Sequence, residues 1–215
     1  MLEVAEGVRY MHSEGIVHGD LKGVSIFIYW ISSSVHRFYQ ENILLDSDLH
    51  CQIVDFGLTR HSDATTTGDL AFSTDFVAPE LFGKCIECSK YDCDGRRPGH
   101  AVQRKKTMET DVYAFGCLYY SVSLSFYQLA RLIRFVQIFF NTVPFGGNSH
   151  HVSRSVINER RPGRLKTPKM EDDTWNLIEN CWKLEPLERP KMEQIVSFLT
   201  LAPAIGLSVP LDQPA

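Results

Sequence analysis

Residues 18–46 read HGDLKGVSIFIYWISSSVHRFYQENILLD, and the two ends of this stretch differ in character from its middle. The first end carries Asp20 and Lys22, and the second places Asn42 ahead of a short apolar run. Between them lie the seventeen residues Val24–Gln40, which are rich in aromatic and aliphatic side chains. We therefore expect the two polar ends to act together, with the middle as an insert between them.

The overall composition is that of an ordinary globular protein. The chain has 215 residues, of which 44% are hydrophobic and 22% are charged, enough for one domain with a core. Its net charge is −4 and its basic residues are spread along the sequence, so nothing predicts a nucleic-acid partner. The six cysteines show no regular spacing and no basic-then-apolar leader opens the chain, so we expect a reduced, cytoplasmic setting. The oligomeric state stays open.

An uncharged run of nineteen residues, Val112–Ala130, has the length of a membrane-spanning helix. Gly116, Gln128 and several Ser and Tyr residues make it poorly apolar, and Asp111 precedes it. We interpret the run as a buried core helix and expect no membrane partner.

The remaining periodicity is mainly helical. Apolar spacing and capping signals predict three further helices, over residues 2–14, 172–184 and 190–199. Two short apolar runs, 43–45 and 52–54, predict a small β-hairpin. Residues 56–77 are rich in Thr, Ser, Asp and Gly and predict an exposed mobile loop. The tail, residues 201–215, is expected to be flexible.

Short motifs follow one another in a fixed order along the chain. The sequence HGDLK follows the first helix, Asn42 begins the hairpin, and the hairpin ends in DFG at 55–57. Farther on come APE, DVYAFG and a CW…P…RP pattern, at residues 78–80, 111–116 and 181–190. Each motif alone is weak evidence, but the ordered set is specific.

This ordered set, which covers residues 1–200, resembles the signature motifs of protein kinases. The resemblance implies a mainly α fold: the helical C-terminal lobe of the kinase domain, with a small β-hairpin that carries the catalytic loop and the DFG motif. It also implies ATP and a protein substrate as partners. No G-x-G-x-x-G loop and no V-A-I-K strand occur, so we expect the N-terminal lobe to be absent from this chain.

The same resemblance assigns roles to the site residues. Asp20 would accept the proton of the substrate hydroxyl, and Lys22 would point its charge at the transferred phosphate. Asn42 and Asp55 would supply oxygen ligands to the Mg²⁺ that accompanies the nucleotide. The Asp-Leu-Lys form of the loop is similar to that of Ser/Thr and tyrosine kinase-like enzymes, so we expect Ser/Thr specificity.

Other matched positions have structural roles by resemblance. Ser73 would help to hold Asp20 and Lys22 in register, and Glu80 would form a buried ion pair with Arg189. Asp111 would cap its helix and hold the backbone of the His18 turn.

One position departs from the family pattern. Gly19 stands where many kinases carry an Arg that grips a phosphorylated loop, although Ser62 and residues 65–67 offer phosphoacceptors.

Two function classes remain open at this stage. The first is a Ser/Thr-type kinase whose activity depends on the missing lobe. The second is a catalytically inactive, kinase-like module that docks partner proteins through its helical surface.

The insert at 24–40 has a counterpart at 122–137, where removal of sixteen residues gives an unbroken helix that leads to a Pro-Phe turn. Both segments begin with Val-Ser and end in Gln, whose codons can form the two borders of a spliceosomal intron. Our hypothesis is that both are retained introns of a compact, fungal-type gene. The alternative is a genuine insertion in a surface loop.

A cysteine-rich stretch follows the APE motif. Cys85, Cys88, Cys93 and His100 have C-x2-C-x4-C-x6-H spacing, a set of ligands that could hold a tetrahedral Zn²⁺. The alternative is a polar surface loop with free thiols.

Overall fold

The computed structural model shows a mainly helical protein with several very short strands. It describes residues 1–23, 25–26, 42–46, 48, 50–63, 76–85, 102–103, 105–131, 156–158, 160–164 and 170–201. The main helices of the described part are α1 Leu2–Ser13, α2 Met108–Arg131, α3 Asp172–Cys181 and α4 Met192–Leu201. The strands are β1 Ile16–Val17, β2 Ser25–Ile26, β3 Ile43–Leu45, β4 Cys51–Ile53, β5 Arg60–His61, β6 Lys84–Cys85 and β7 Val102–Gln103.

Helix α1 forms where the sequence predicted it, because its apolar residues recur at helical spacing. Val4, Ala5 and Val8 are buried, and this face packs against α4. The helix ends at Ser13, and Gly15 follows with a φ of +71°, a conformation that glycine adopts without strain.

Helix α2 is the centre of the core. Residues 110–120 are all buried, and the helix packs against α3, which confirms the prediction of a buried core helix. None of the described helices is both long and apolar enough to cross a bilayer. The helix continues to Arg131 and therefore runs through Val122, where we expect the second insert to begin.

The predicted hairpin is confirmed as β3 and β4, which pair antiparallel with Ile43 opposite Ile53. Strand β2 adds to this hairpin in parallel, with Ser25 opposite Leu44. Strand β2 thus lies inside Val24–Gln40, the segment that the sequence predicts to be an insert.

The prediction of a mobile loop over residues 56–77 is wrong at its start. Residues Phe56–Leu58 form a 3₁₀ turn, and β5 then pairs antiparallel with β1, so that Val17 lies opposite Arg60. Two-residue strands are too short to show a period of two, and the Thr- and Ser-rich composition therefore suggested a loop. Residues 64–75 lie outside the described part of the chain.

The last two helices differ from prediction at their ends. Helix α3 ends at Cys181, and a 3₁₀ turn over Pro186–Glu188 follows. Helix α4 begins at Met192 instead of Pro190, because the backbone N–H of Lys191 donates a 2.8 Å hydrogen bond to the Gln194 side chain. This is one half of a capping box, in which the third helical side chain accepts from the backbone N–H of the residue that precedes the helix, so Lys191 stands just before the first helical residue.

Candidate active site

The loop that carries Asp20 is fastened to the core by one carboxylate. Asp111, which is 1% exposed, accepts 2.8 Å hydrogen bonds from the backbone N–H groups of His18 and Gly19. Its Oδ2 also accepts a 3.0 Å bond from Nε2 of His12 on α1. The predicted hold on the His18 turn is confirmed, but the predicted helix cap is wrong, because α2 begins at Met108 and places Asp111 inside its first turn.

His18 links this loop to the DFG turn. The side chain is fully buried, its Nε2–H donates to the Val54 carbonyl at 3.2 Å, and its Nδ1 accepts from the N–H of Asp20 at 3.3 Å. These two bonds fix the tautomer with the proton on Nε2. The ring also lies 5.7 Å from the ring of Phe56. The two loops that carry the predicted site therefore share one buried side chain.

Three of the predicted site residues lie in direct contact. The Lys22 ammonium is 2.8 Å from Oδ2 of Asp20, and both side chains are largely shielded from solvent. The amide nitrogen of Asn42 donates to the Asp20 carbonyl at 2.7 Å and to Asp20 Oδ2 at 3.2 Å. The Asp20 carboxylate is thus oriented by two donors that come from opposite sides of the insert.

Asn42 reaches this position although it lies 22 positions after Asp20 in the sequence. Its backbone N–H donates to the Lys22 carbonyl at 3.0 Å, and its carbonyl accepts from the Val54 N–H at 2.9 Å. The backbone of Asn42 is therefore bonded to the loop at residues 18–23 and to the residue that follows β4. Of the inserted residues, only 25 and 26 belong to the described part of the chain.

Asp55 has an unusual backbone. Its φ is +63°, and within the described residues it is the only non-glycine residue with a positive φ. A side chain in this left-handed region costs about 1–3 kcal/mol and is retained mainly where function or surrounding structure requires it. Its Oδ1 accepts a 3.3 Å bond from the Gly57 N–H, and the residue is solvent-exposed. The carboxylate is therefore presented at the surface of the site.

Asn42 and Asp55 carry oxygen atoms of the kind that Mg²⁺ binds. The Asn42 amide nitrogen donates to Asp20, so the amide oxygen is the atom that would be left for a cation, and Asp55 offers an exposed carboxylate. Mg²⁺ prefers oxygen ligands and uses only one or two protein carboxylates, with phosphates and water completing its shell. Within the described residues no three acidic, His or Cys side chains cluster in a way that could hold a metal without a nucleotide.

The predicted ion pair between Glu80 and Arg189 is confirmed. The two guanidinium nitrogens Nη1 and Nη2 lie 2.7 and 2.8 Å from the two carboxylate oxygens, a bidentate arrangement. Arg189 also donates to the carbonyls of Lys183, Leu184 and Glu109, so its charge is fully satisfied although its side chain is buried. This pair joins the APE turn to the segment that leads into α4.

Sequence reasoning missed Lys106. The residue lies just before α2 and is 4% exposed, and its side chain packs over Gly19 in the loop that carries Asp20. A lysine in a polar stretch between predicted elements gives no signal of burial, because lysine is almost always exposed.

Several predicted residues lie outside the described part of the chain. These are Ser73, the phosphoacceptors at 65–67, and three of the four zinc ligands, Cys88, Cys93 and His100. Of the zinc set only Cys85 is described, as the end of β6, where it pairs with Val102. The zinc site stays a prediction.

A family model described as the protein kinase domain matches residues 1–198. The chain therefore belongs to the protein kinase domain family, and its mainly helical fold agrees with the expected C-terminal lobe. It is 32% identical over 198 residues to the dual serine/threonine and tyrosine protein kinase of Strongylocentrotus purpuratus, covering 92% of this chain and 16% of that protein. It is 29% identical over 189 residues to the proteins of that name from mouse and human, covering 88% of this chain and 15% of each relative. The chain thus spans about a sixth of the length of these curated relatives.

Proposed function

We propose that this chain carries the phosphoryl-transfer residues of a protein kinase that moves the γ-phosphate of ATP to Ser and Thr hydroxyls of proteins. The observation that carries the proposal is the contact of Asp20 with both Lys22 and Asn42, in spite of the insert. Family membership supplies the reaction class, and this geometry supports an intact set of reacting groups.

The chemistry asks mainly for orientation and for charge. In phosphoryl transfer the protein does little covalent work, and catalysis comes from positioning and electrostatic stabilisation. Asp20 is suited to accept a hydrogen bond from the substrate hydroxyl and to take its proton, because the donors from Lys22 and Asn42 hold its carboxylate in one orientation. The Lys22 ammonium then lies next to the path of the incoming phosphate and offsets its negative charge.

The nucleotide side of the site is supported by Asp55 and Asn42. Mg²⁺, when bound with ATP, neutralises charge on the phosphates. The exposed Asp55 carboxylate and the Asn42 amide oxygen would hold it. A metal-binding role of Asp55 would account for the positive φ, because strained backbone conformations are retained where function requires them.

The second part of the proposal is that the acceptor residues are Ser and Thr and not Tyr. It is supported by the Asp-Leu-Lys sequence of the loop, whereas the named relatives are dual serine/threonine and tyrosine kinases. A matched set of three peptides that differ only in a Ser, Thr or Tyr acceptor separates the two cases. Phosphate incorporation into the Tyr peptide at the rate of the Ser peptide would replace Ser/Thr specificity by dual specificity.

The direct test of the reaction class is nucleotide binding by the 215-residue chain. We expect millimolar ATP with Mg²⁺ to raise the melting temperature, and we expect Asp55→Asn to abolish the shift without lowering the melting temperature of the free chain. No shift with wild-type chain would favour the alternative of a non-catalytic interaction module. That alternative is supported by Phe56, whose ring is 55% exposed beside the site and offers an apolar contact to a partner.

Zinc binding by the Cys/His stretch is a separate proposal. Its support is the pairing of β6 with β7, because Lys84 opposite Gln103 and Cys85 opposite Val102 bring the two ends of that stretch together. Metal analysis of the purified chain, with Cys88→Ser as control, tests it.

A further inference from the structure

Gly19 and Lys106 share one small volume. A Cβ atom placed on Gly19 would lie 2.6 Å from Cδ and 3.5 Å from Nζ of Lys106, and 3.0 Å from the carbonyl oxygen of Leu58. The Lys106 side chain therefore occupies the space into which any side chain at position 19 would extend. Gly19 also has a φ of +77°, so that both space and backbone favour glycine there.

The Lys106 ammonium lies among the charged groups of the active site. The carboxylates of Asp20 and Asp111 attract it, and Arg60 and Lys22 repel it. Burial is the largest influence on its ionisation and lowers the pKa of Lys106 below the usual lysine range. Lysine is rarely buried unless its charge interacts with other groups, because removing the charge from water is unfavourable. The burial of Lys106 therefore calls for a compensating interaction.

We propose that Lys106 is a positioning residue of the active site, which supplies from the start of α2 the positive charge that a glycine at position 19 cannot bring to the catalytic loop. Its stem covers Gly19, and its ammonium keeps the turn between His18 and Asp20 in the orientation that Asn42 and Lys22 also support. The proposal deepens the proposed function, because the orientation of Asp20 matters only for phosphoryl transfer.

A merely structural role would depend on the volume of the lysine stem and not on its charge. Lys106→Met keeps the stem and removes the charge, whereas Lys106→Arg keeps the charge on a longer side chain. The backbone N–H groups of His18 and Gly19, which bond to Asp111, report on the loop through amide hydrogen exchange. The amides of Val8 and Leu118 in α1 and α2 report on the fold as a whole.

For the full 215-residue chain we expect Lys106→Met to speed exchange at His18 and Gly19 by at least about ten-fold, with Val8 and Leu118 unchanged. Lys106→Arg should restore protection to within about three-fold of wild type. Wild-type protection in the Met variant would overturn the proposal in favour of packing alone. Faster exchange at all four amides in both variants would overturn it as well, because it would show loss of the fold.

A double-mutant cycle tests the shared volume independently of charge. Gly19→Ala should lower the melting temperature strongly in the wild-type chain and less in the Lys106→Ala background, because the 2.6 Å contact is gone while the cost of the positive φ remains. Equal decreases in both backgrounds would show that the two residues are not coupled, and would contradict the proposal.

These measurements need no catalytic activity, so they keep the inference separate from the proposed function. Where kinase activity is measured, Lys106→Met should lower kcat by about ten- to hundred-fold and leave the KM for ATP unchanged. A rise in the KM for ATP with unchanged kcat would assign Lys106 to nucleotide binding and overturn its role toward Asp20. A chain that shows neither ATP binding nor activity would refute the proposed function, while the exchange data still decide whether Lys106 orders the loop.

Discussion

The amide nitrogen of Asn42 lies 2.7 Å from the carbonyl oxygen of Asp20, although the two residues are 22 positions apart in sequence. The backbone N–H of Asn42 is bonded to the Lys22 carbonyl as well, at 3.0 Å. The two ends of the insert are therefore joined by hydrogen bonds of the site itself, and those bonds involve no atom of Val24–Gln40.

Deletion of Val24–Gln40 should accordingly preserve the site. We expect the free energy of unfolding to rise by at most about 1–2 kcal/mol, because a shorter loop loses less entropy on closure. The loss of the two-residue pairing of β2 with β3 offsets part of this gain. Urea denaturation of the intact and deleted chains measures the change.

The control for the deletion is Asn42→Leu, made in both chains. The substitution removes the side-chain bonds from Asn42 to Asp20 and keeps the backbone bond to Lys22, so its destabilising effect should be the same in both chains. A deleted chain that unfolds without cooperativity would show that the inserted residues belong to the fold, and would also count against their origin as a retained intron.

Glu80→Gln should destabilise the protein strongly. The buried Arg189 would lose its counter-charge while keeping three carbonyl partners, and loss of one partner of a buried pair costs about 3–5 kcal/mol. The matched control is Asp172→Asn, which breaks the exposed pair with Arg164, 2.6 Å apart, and should cost about 1 kcal/mol or less. Equal effects in urea denaturation would contradict the buried role of Arg189.

Gly116→Ala should weaken the packing of α2 on α3. A Cβ there would lie 2.6 Å from Cβ of Cys181 and 3.0 Å from Cδ1 of Trp182, and neither atom is the end of a flexible chain. Overpacking of this kind costs about 1–3 kcal/mol, of which the better helix propensity of Ala offsets less than about 1 kcal/mol.

Gly163→Ala is the control for this change, because nothing lies within 4 Å of its Cβ position. We expect it to be neutral or to stabilise by less than about 1 kcal/mol. The comparison is made by thermal unfolding of the two variants, and a Gly116→Ala variant as stable as Gly163→Ala would be inconsistent with the close α2–α3 contact.

The contact between Glu3 and His50 should make stability depend on pH. Glu3 Oε1 lies 2.6 Å from His50 Nδ1, and Glu3 Oε2 accepts a 2.8 Å bond from the Cys51 N–H. The hydrogen bond with Glu3 raises the pKa of His50 above 6.5, and the bonds from Cys51 and His50 lower the pKa of Glu3 below 4.5.

The signs follow from these two shifts. The contribution of His50 is complete below pH 6.5 and disappears as the pH rises through its higher folded value, whereas that of Glu3 is complete above pH 4.5 and disappears as the pH falls through its lower folded value. The stability difference between wild type and His50→Gln should therefore be largest between those two pH values and shrink in 1 M salt, because the pair is exposed. A difference that stays constant from pH 4 to pH 9 would exclude the ion pair as its source.

The contact of Asp20 with Lys22 and Asn42 could be predicted from the sequence, because the three residues occur in short motifs whose residue types and order are typical of one family. The core helix α2 could be predicted as well, since a long uncharged run with scattered polar residues fits a buried helix better than a membrane span.

What could not be predicted depends on contacts between distant segments. The pairing of β1 with β5 involves two residues on each side and leaves no periodic pattern. The burial of Lys106 depends on the missing side chain of Gly19, some 87 positions away, and no composition argument connects the two. The sequence likewise could not show how Asn42 comes to lie beside Asp20 despite the 17-residue insert. That depends on how the chain folds around the insert in three dimensions.

The backbone hydrogen bond between Lys22 and Asn42 closes the loop that holds the insert, and this suggests a site at which the protein could be engineered for control. A foreign domain grafted in place of residues 24–40 would enter and leave through two backbone positions that are hydrogen-bonded to each other, at 3.0 Å. If ligand binding drew the ends of such a graft apart, it would pull Asn42 away from Asp20 and disable the site. If the ends stayed together, the site would be left intact. If the proposed function holds, such a graft would convert an engineered signal into a change in the rate of phosphoryl transfer.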